Sequence, residues 1–134
     1  MNHHKTLTAI AAILSLSFAS CSHLSDQAKE MVGNYYNTEL SETEPVMELN
    51  SNGRCLIRAI KPGVLTYAVE GKWNVERDSL IIDTDGKISQ LTGDSTLVGT
   101  IDRHKAMAVV NFNGITLTLR NGSADYIYTR RDAD

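Results

Sequence analysis

From residue 33 onward, hydrophobic and polar residues alternate in short runs that are separated by turn-forming residues. The clearest run, 115–121, places Ile115, Leu117 and Leu119 on one face of a predicted strand and polar residues on the other. Asn113-Gly114 before it is the strongest hairpin signal, because both central residues of a tight primed turn adopt positive φ. Nine or ten such runs, spaced about 8 to 12 residues apart, predict an antiparallel sandwich or barrel.

Glycine, proline and aspartate set the boundaries of the other runs. A turn is predicted at 61–63, and Asp-Gly at 85–86 separates a strand over 79–84 from one over 87–91. Another strand is predicted over 95–101. Short connections favour pairing in sequence order, and closure leaves no exposed sheet edge. The fold predicted is all-β: an antiparallel up-and-down meander, closed or nearly closed into a small barrel of 8 to 10 strands.

The first twenty residues follow a different pattern. After Lys5 comes an apolar stretch over 7–18, about a dozen residues long, which is too short to cross a hydrocarbon core of about 30 Å. Its length is typical of the central part of a secretory signal. It ends in Phe18-Ala19-Ser20-Cys21, which resembles the bacterial lipobox.

The lipobox resemblance implies a lipoprotein signal peptide over 1–20 and acylation of Cys21 with palmitate-type chains. Two or three such chains hold a domain at a bilayer far more firmly than one. A tether and a short helix, capped by Ser25, are expected over 21–32, and the barrel domain over 33–131. An ordinary signal peptide with an incidental cysteine is the alternative.

Charge and cysteine content narrow the class of protein further. The chain has 13 basic and 16 acidic residues, and Lys5 is the only charged residue before Cys21, so the mature balance is 12 − 16 = −4. A mildly acidic domain argues against nucleic acid as a partner. With Cys21 acylated, Cys55 has no partner for a disulfide, and its strand-like surroundings favour a buried thiol that packs as a small hydrophobic group.

Three segments resemble the lipocalin-like domains of small bacterial lipoproteins of the Bacteroides type. They are a Gly-x-aromatic opening in 31–36, a strand-turn-strand in 49–57, and a Gly-x-Trp strand followed by two further strands in 70–99. The layout is also similar to the amino-terminal barrel of the copper-resistance, envelope-stress lipoprotein family. The Cys-x-x-Cys pair of that family is absent, so copper binding is not implied.

The lipocalin-like resemblance implies a device that closes one end of the barrel. An aromatic residue after the opening glycine packs under a basic residue of the last strand, which here points to Gly33, Tyr35 and either Arg130 or Arg131. A guanidinium can stack on such a ring and donate to carbonyls of a helical plug. The expected role is stability rather than catalysis.

Candidate lumen residues come from the alternation of the strands. Met47, Tyr67, Trp73 and Met107 either line a ligand cavity or fill the core, because a barrel of about eight strands allows both. Arg54 and Arg58 share one face of a predicted strand. They either make the lumen an anion-binding interior or form a solvent-facing pair.

Neither a metal site nor a catalytic group is predicted. Asp83-Thr84-Asp85-Gly86 resembles the start of a calcium loop, but an ordinary hairpin turn explains it better. Asp102 and His104 could orient one another, yet no nucleophile is placed beside them. No cofactor is expected.

The predicted function is binding rather than catalysis. We expect an envelope lipoprotein, held at the outer membrane on its periplasmic or surface face, whose barrel binds a small apolar ligand or another envelope protein. A hydrolase or isomerase inside the barrel, or a purely structural or inhibitory lipoprotein, are the alternatives.

Overall fold

The alternating runs form the eight strands of a closed antiparallel barrel, as the computed structural model of residues 23–131 shows. This confirms the predicted all-β meander. Cys21 and the predicted signal segment 1–20 lie outside the described residues. The elements are helix α1 (Asp26–Glu30), strands β1 (Gly33–Tyr36), β2 (Met47–Leu49), β3 (Arg54–Lys61), β4 (Leu65–Glu76) and β5 (Ser79–Gly93), a 3-10 helix (Ser95–Leu97), and strands β6 (His104–Phe112), β7 (Thr116–Asn121) and β8 (Ala124–Arg131).

Each strand pairs with the next one in sequence, and β8 returns to β1 with Arg130 directly opposite Tyr35. The barrel has two different ends. At the closed end lie α1 and the turns that join β2 to β3, β4 to β5 and β6 to β7. At the open end lie the other connections: 37–46, 62–64, 94–103 and 122–123.

The hydrophobic core fills the closed half of the barrel. Side chains of α1 pack against inward-facing residues of the strands, and the core includes Ala28, Met31, Trp73, Leu80 and Leu119. The Trp73 indole donates to the Asn50 carbonyl at 2.9 Å, which satisfies its one polar group. Apolar burial and the hydrogen bond of the Trp73 indole therefore both stabilise the closed end.

Helix α1 begins where the sequence predicts. The Ser25 hydroxyl accepts a hydrogen bond from the Ala28 amide at 3.1 Å and donates to the Val75 carbonyl at 2.6 Å. The first bond caps the helix, and the second fixes the cap to β4. A five-residue helix is too short to be stable alone, so its packing on the barrel holds it.

Strand β5 differs from the prediction. The Asp-Gly pair at 85–86 does not form a hairpin turn, because 85–87 bulge out of one continuous strand opposite Glu70 of β4. The bulge uses the positive φ of Gly86, +74°, that a turn would have used. The predicted strand over 95–101 is also wrong, since those residues form the 3-10 helix and a loop.

The primed turn lies elsewhere than predicted. Arg77 and Asp78, between β4 and β5, are the two non-glycine residues with positive φ in the described chain, at 52° and 60°. In the Asn113-Gly114 connection only the glycine has positive φ, and the Asn113 side chain accepts from the amides of Ile115 and Thr116. This wider loop leaves Ile115 exposed rather than on the face shared by Leu117 and Leu119.

Candidate functional site

A cavity of about 250 Å³ occupies the open half of the barrel, above the filled core. It exists because the inward-facing side chains nearer the open end do not meet across the lumen, and the loop 100–102 borders the space instead. The lining residues are Val46, Met47, Ile57, Arg58, Ala59, Tyr67, Val69, Ile82, Thr84, Thr100, Ile101, Asp102, Lys105, Met107 and Tyr128.

Much of the cavity wall is apolar. Met47 and Ile57 are direct cross-strand partners on β2 and β3, and Val69 lies opposite Ile57 on β4. Met107 of β6 is within the same apolar surface and is almost fully buried. Methionine side chains adapt to irregular shapes, so this surface can fit ligands of different outline.

Lys105 adds a positive charge to this wall. It lies directly opposite Ile82 on β5 and two residues before Met107 on β6, and both of these neighbours face the lumen. Alternation along a strand therefore turns the Lys105 side chain to the same side. The residue is half-buried and lines the cavity.

Tyr128 of β8 contributes a phenol to the cavity. Burial raises the pKa of Tyr128 to about 12, and the nearby Tyr126 adds to the effect. The phenol is therefore neutral at physiological pH and can donate a hydrogen bond. No described residue forms a hydrogen bond with its hydroxyl group.

Arg58 borders the cavity but its charge is already paired. Its guanidinium donates to Glu48 and to the Pro45 carbonyl, and its Nε lies 3.8 Å from a Glu44 carboxylate oxygen. The side chain is only 10 % exposed. Arg58 thus joins β3 to β2 and to the loop 37–46, rather than offering a free anion site.

The predicted lumen residues separate into two groups. Met47, Tyr67, Met107 and Arg58 line the cavity. Trp73 is buried in the core of the closed half, and the Arg54 side chain is exposed, away from the cavity.

Three of the four predicted closure residues, Gly33, Tyr35 and Arg130, lie together at the closed end. Arg130 Nη1 donates to the carbonyls of Glu30 and Val32, at 2.8 Å and 3.1 Å, and so joins β8 to the end of α1. Its guanidinium stacks on Phe112 rather than on Tyr35, at 5.3 Å from the ring centroid. Gly33 makes room for this side chain, since an added Cβ would lie 2.7 Å from Arg130 Cδ.

Arg131 and Tyr35 have separate roles. Arg131 lies over Tyr36 at 4.3 Å and donates to the Glu42 carbonyl, on the outside of the barrel. The Tyr35 hydroxyl donates to the Met31 carbonyl at 2.7 Å inside the closed end. Burial raises the pKa of Tyr35 to about 12, although the Arg130 charge acts against the increase.

Cys55 is a buried free thiol on β3, at the closed end. Burial raises the pKa of Cys55 to about 11, despite the nearby Arg54 charge. Since the thiolate is the nucleophilic form, this cysteine is unreactive at neutral pH.

His104, the first residue of β6, pairs with a different acid from the one that the sequence suggested. His104 Nδ1 lies 2.6 Å from Asp83 Oδ1, its direct cross-strand neighbour, whereas Asp102 accepts at its carbonyl from the Thr84 hydroxyl. The His104 and Asp83 side chains are 65 % and 58 % exposed, and they alternate with Lys105 and Ile82, which face the cavity. Within 23–131, no three His, Cys, Asp or Glu side chains lie close enough to hold a metal ion.

Sequence reasoning missed three parts of the cavity: Lys105, Tyr128 and the loop 100–102. Lys105 belongs to a charged stretch, 102–105, that is typical of a connecting loop. Its two-residue spacing from Met107 was the available signal, because residues at i and i+2 share a face in a strand. The loop was missed because 95–101 was predicted to be a strand.

Comparisons with models of known families, with curated proteins and with solved structures found no match for this chain. In the part of the chain that the structure describes, no helix has the length and apolar character needed to span a bilayer.

Proposed function

We propose that this chain is a lipid-anchored envelope protein whose barrel binds a small apolar or amphipathic molecule in its open half. The cavity of about 250 Å³ carries the proposal. An eight-stranded barrel is just wide enough to be filled by side chains or to hold one small ligand. In this barrel the side chains fill the closed half, and the open half retains space.

The size of the cavity limits the ligand. An apolar cavity of about 150 Å³ holds one benzene-sized molecule. By proportion, this cavity accommodates about ten non-hydrogen atoms, and a longer ligand would extend through the open end. Octan-1-ol has a suitable size and no charge, so it is the reference probe for the proposal.

A variant that fills the cavity tests the proposal. Ala59 lines the cavity opposite Tyr67, so Ala59→Trp should abolish octan-1-ol binding by the mature chain carrying Cys21→Ala. Ala106→Trp is the matched control, since Ala106 is exposed and faces away from the cavity between Lys105 and Met107. Calorimetry measures both affinities. Octan-1-ol binding that survives Ala59→Trp in a folded protein would refute the lumen as the site.

The anchor in this proposal is Cys21, and the position of α1 indicates which end of the barrel would lie near the membrane. His23 begins the described chain at the closed end, where its carbonyl accepts from the Asn74 amide at 3.3 Å. Two residues span at most about 7 Å, so an acyl chain on Cys21 would hold the closed end near the bilayer. The cavity would then open away from the membrane.

Membrane fractionation tests the anchor. The wild-type chain expressed in a bacterium should incorporate labelled palmitate and sediment with membranes, and Cys21→Ala should lose both properties. Cys55→Ala, the control variant, should retain them because that thiol is buried. Labelling of the Cys21→Ala chain, or its undiminished recovery with membranes, would contradict lipid anchoring.

The position of the acids and of the histidine supports the proposal of binding over one of catalysis. A hydrolase or isomerase inside the barrel needs an acid or a histidine–acid pair that faces the ligand. The closest such pair among the described residues, His104 with Asp83, is on the outside of the barrel. The acid that borders the cavity, Asp102, is exposed on its loop.

One observation favours a second function, the binding of another envelope protein. Strand β5 pairs with β6 only over Ser79–Asp83, whereas it pairs with β4 as far as Gly93. The described chain therefore leaves one edge of 85–93 without a neighbouring strand, and Leu91 is exposed there. An extended segment of a partner can add to such an edge.

Site-specific crosslinking distinguishes this second function. A photoreactive side chain at position 91 should give one adduct of defined mass in intact cells. The same group at Glu70, exposed on the neighbouring strand, is the control. Equal adducts from both positions, or none from position 91, would refute edge binding.

A further inference from the structure

The charged residues around the cavity are not equivalent. Arg58 is neutralised by Glu48 and Glu44, as described above. Asp102 is exposed to water, and its backbone carbonyl is fixed by the Thr84 hydroxyl at 3.2 Å. Lys105 differs from both, because it is half-buried and no described carboxylate lies within ion-pairing distance of its ammonium.

The surroundings of Lys105 suit the stem of the side chain better than its charge. Ile82 faces it across the β5–β6 ladder, and Met107 follows it on the same face. In such surroundings a lysine lays its methylene stem along the apolar surface and keeps its ammonium at the polar end. An anionic group of a ligand in the cavity could therefore accept a charge-assisted hydrogen bond from this ammonium.

We propose that the ligand of this cavity is a small amphipathic anion, and that Lys105 binds its charged group. This inference rests on the proposed function, because it assigns a chemical class to the molecule in the same cavity. The apolar part of the ligand lies against Met47, Val69 and Met107, and the anionic group accepts a charge-assisted hydrogen bond from Lys105 Nζ. The neutral Tyr128 phenol is a second available donor in the cavity.

Three probes with the same alkyl chain separate charge from apolar contact: octanoate, octan-1-ol and octylammonium. At neutral pH the mature Cys21→Ala chain should bind octanoate about tenfold or more tightly than octylammonium. Lys105→Met keeps an apolar stem and removes the charge. It should weaken octanoate about tenfold and change octan-1-ol affinity less than about twofold.

Two further variants serve as controls. Lys72→Met causes the same change in net charge, but Lys72 is exposed on β4, and the octanoate affinity should change less than about twofold. Lys105→Arg restores the charge and should recover most of the octanoate affinity. Retained octan-1-ol binding by Lys105→Met demonstrates that its cavity is intact.

The outcomes separate this inference from the proposed function. Two results would refute the anionic ligand while leaving the cavity function in place, provided that octan-1-ol binds. One is an octanoate affinity that Lys105→Met does not change, and the other is an octylammonium affinity equal to that of octanoate. If Lys72→Met weakens octanoate binding as much as Lys105→Met does, the loss comes from the change in net charge, and the inference also fails. If none of the three probes binds, the proposed function fails with it.

Discussion

Tyr35 connects the first strand, the helix and the last strand at the closed end of the barrel. Its side chain is fully buried, its hydroxyl reaches the Met31 carbonyl, and Arg130 lies directly opposite on β8. The ring therefore contributes packing, and the hydroxyl contributes a buried hydrogen bond. These two contributions can be measured separately.

Replacement of Tyr35 should destabilise the fold in two steps. Tyr35→Ala empties the end of the barrel and should lower the free energy of unfolding by about 3 kcal/mol or more. Tyr35→Phe keeps the ring and leaves the Met31 carbonyl without its donor, which should cost about 1 kcal/mol. Urea denaturation measures both changes. A loss below about 0.5 kcal/mol for Tyr35→Ala would contradict the closure of the barrel by this residue.

Buried phenols also predict a pH dependence. Burial raises the pKa of Tyr35 and of Tyr128 from 10.0 to about 12 in the folded state. Between these values the folded chain keeps protons that the unfolded chain loses. Stability from both groups is therefore complete below pH 10 and is lost as pH rises toward 12, by on the order of 2 kcal/mol for each group.

The doubly substituted chain tests this dependence. Urea denaturation at several pH values above 9 should show a smaller loss of stability for the Tyr35→Phe, Tyr128→Phe chain than for the parent. The parent and the variant would lose equal stability only if the phenols titrated alike in the folded and unfolded states. That result would contradict their burial.

At the scale of elements, the long β4–β5 pair contributes Tyr67, Val69, Ile82 and Thr84 to the lining of the cavity. Gly71 allows the two strands to approach at the start of the bulge, since a Cβ there would lie 2.2 Å from the Asp83 carbonyl oxygen. Backbone cannot move aside as a flexible side chain can. The close approach therefore depends on the absence of a side chain at Gly71.

Gly71→Ala should destabilise the barrel by about 2 kcal/mol, because the two strands must separate at the bulge. Gly99→Ala is the control, since an added Cβ at Gly99 meets nothing within 4 Å. Thermal unfolding of the two variants measures the difference. Similar midpoints for both would show that β4 and β5 are not in close contact at Gly71.

Much of the element order could be predicted from sequence, because local chemistry determines it. The Ser25 cap and the turn at 61–63, in which Gly63 has φ of +73°, formed as expected. Whether Asp85-Gly86 forms a turn or a bulge could not be predicted, because a glycine with positive φ suits both equally well. The pairing of β4 on both sides of the bulge decided between them, and this pairing is not local.

For the whole molecule, closure of the barrel could be predicted from the short connections and from the need to protect the edges of a sheet with many strands. The cavity did not follow in the same way, because alternation identifies residues that face inward but not those that meet across the lumen. Trp73 and Met107 both face inward and belong to the core, yet only Met107 also borders the free space. That division depends on the place of each residue along the barrel axis, which α1 sets by filling one end.

The central claim is that a small apolar molecule binds in the open half of the barrel. Methyl-labelled methionines report this directly, because Met47 and Met107 line the cavity and Met31 lies in the core at the closed end. On titration with octan-1-ol, the NMR signals of the Met47 and Met107 methyl groups should shift in a saturable way, and that of Met31 should stay in place. Shifts confined to Met31, or no saturable shift at Met47 and Met107, would contradict the claim.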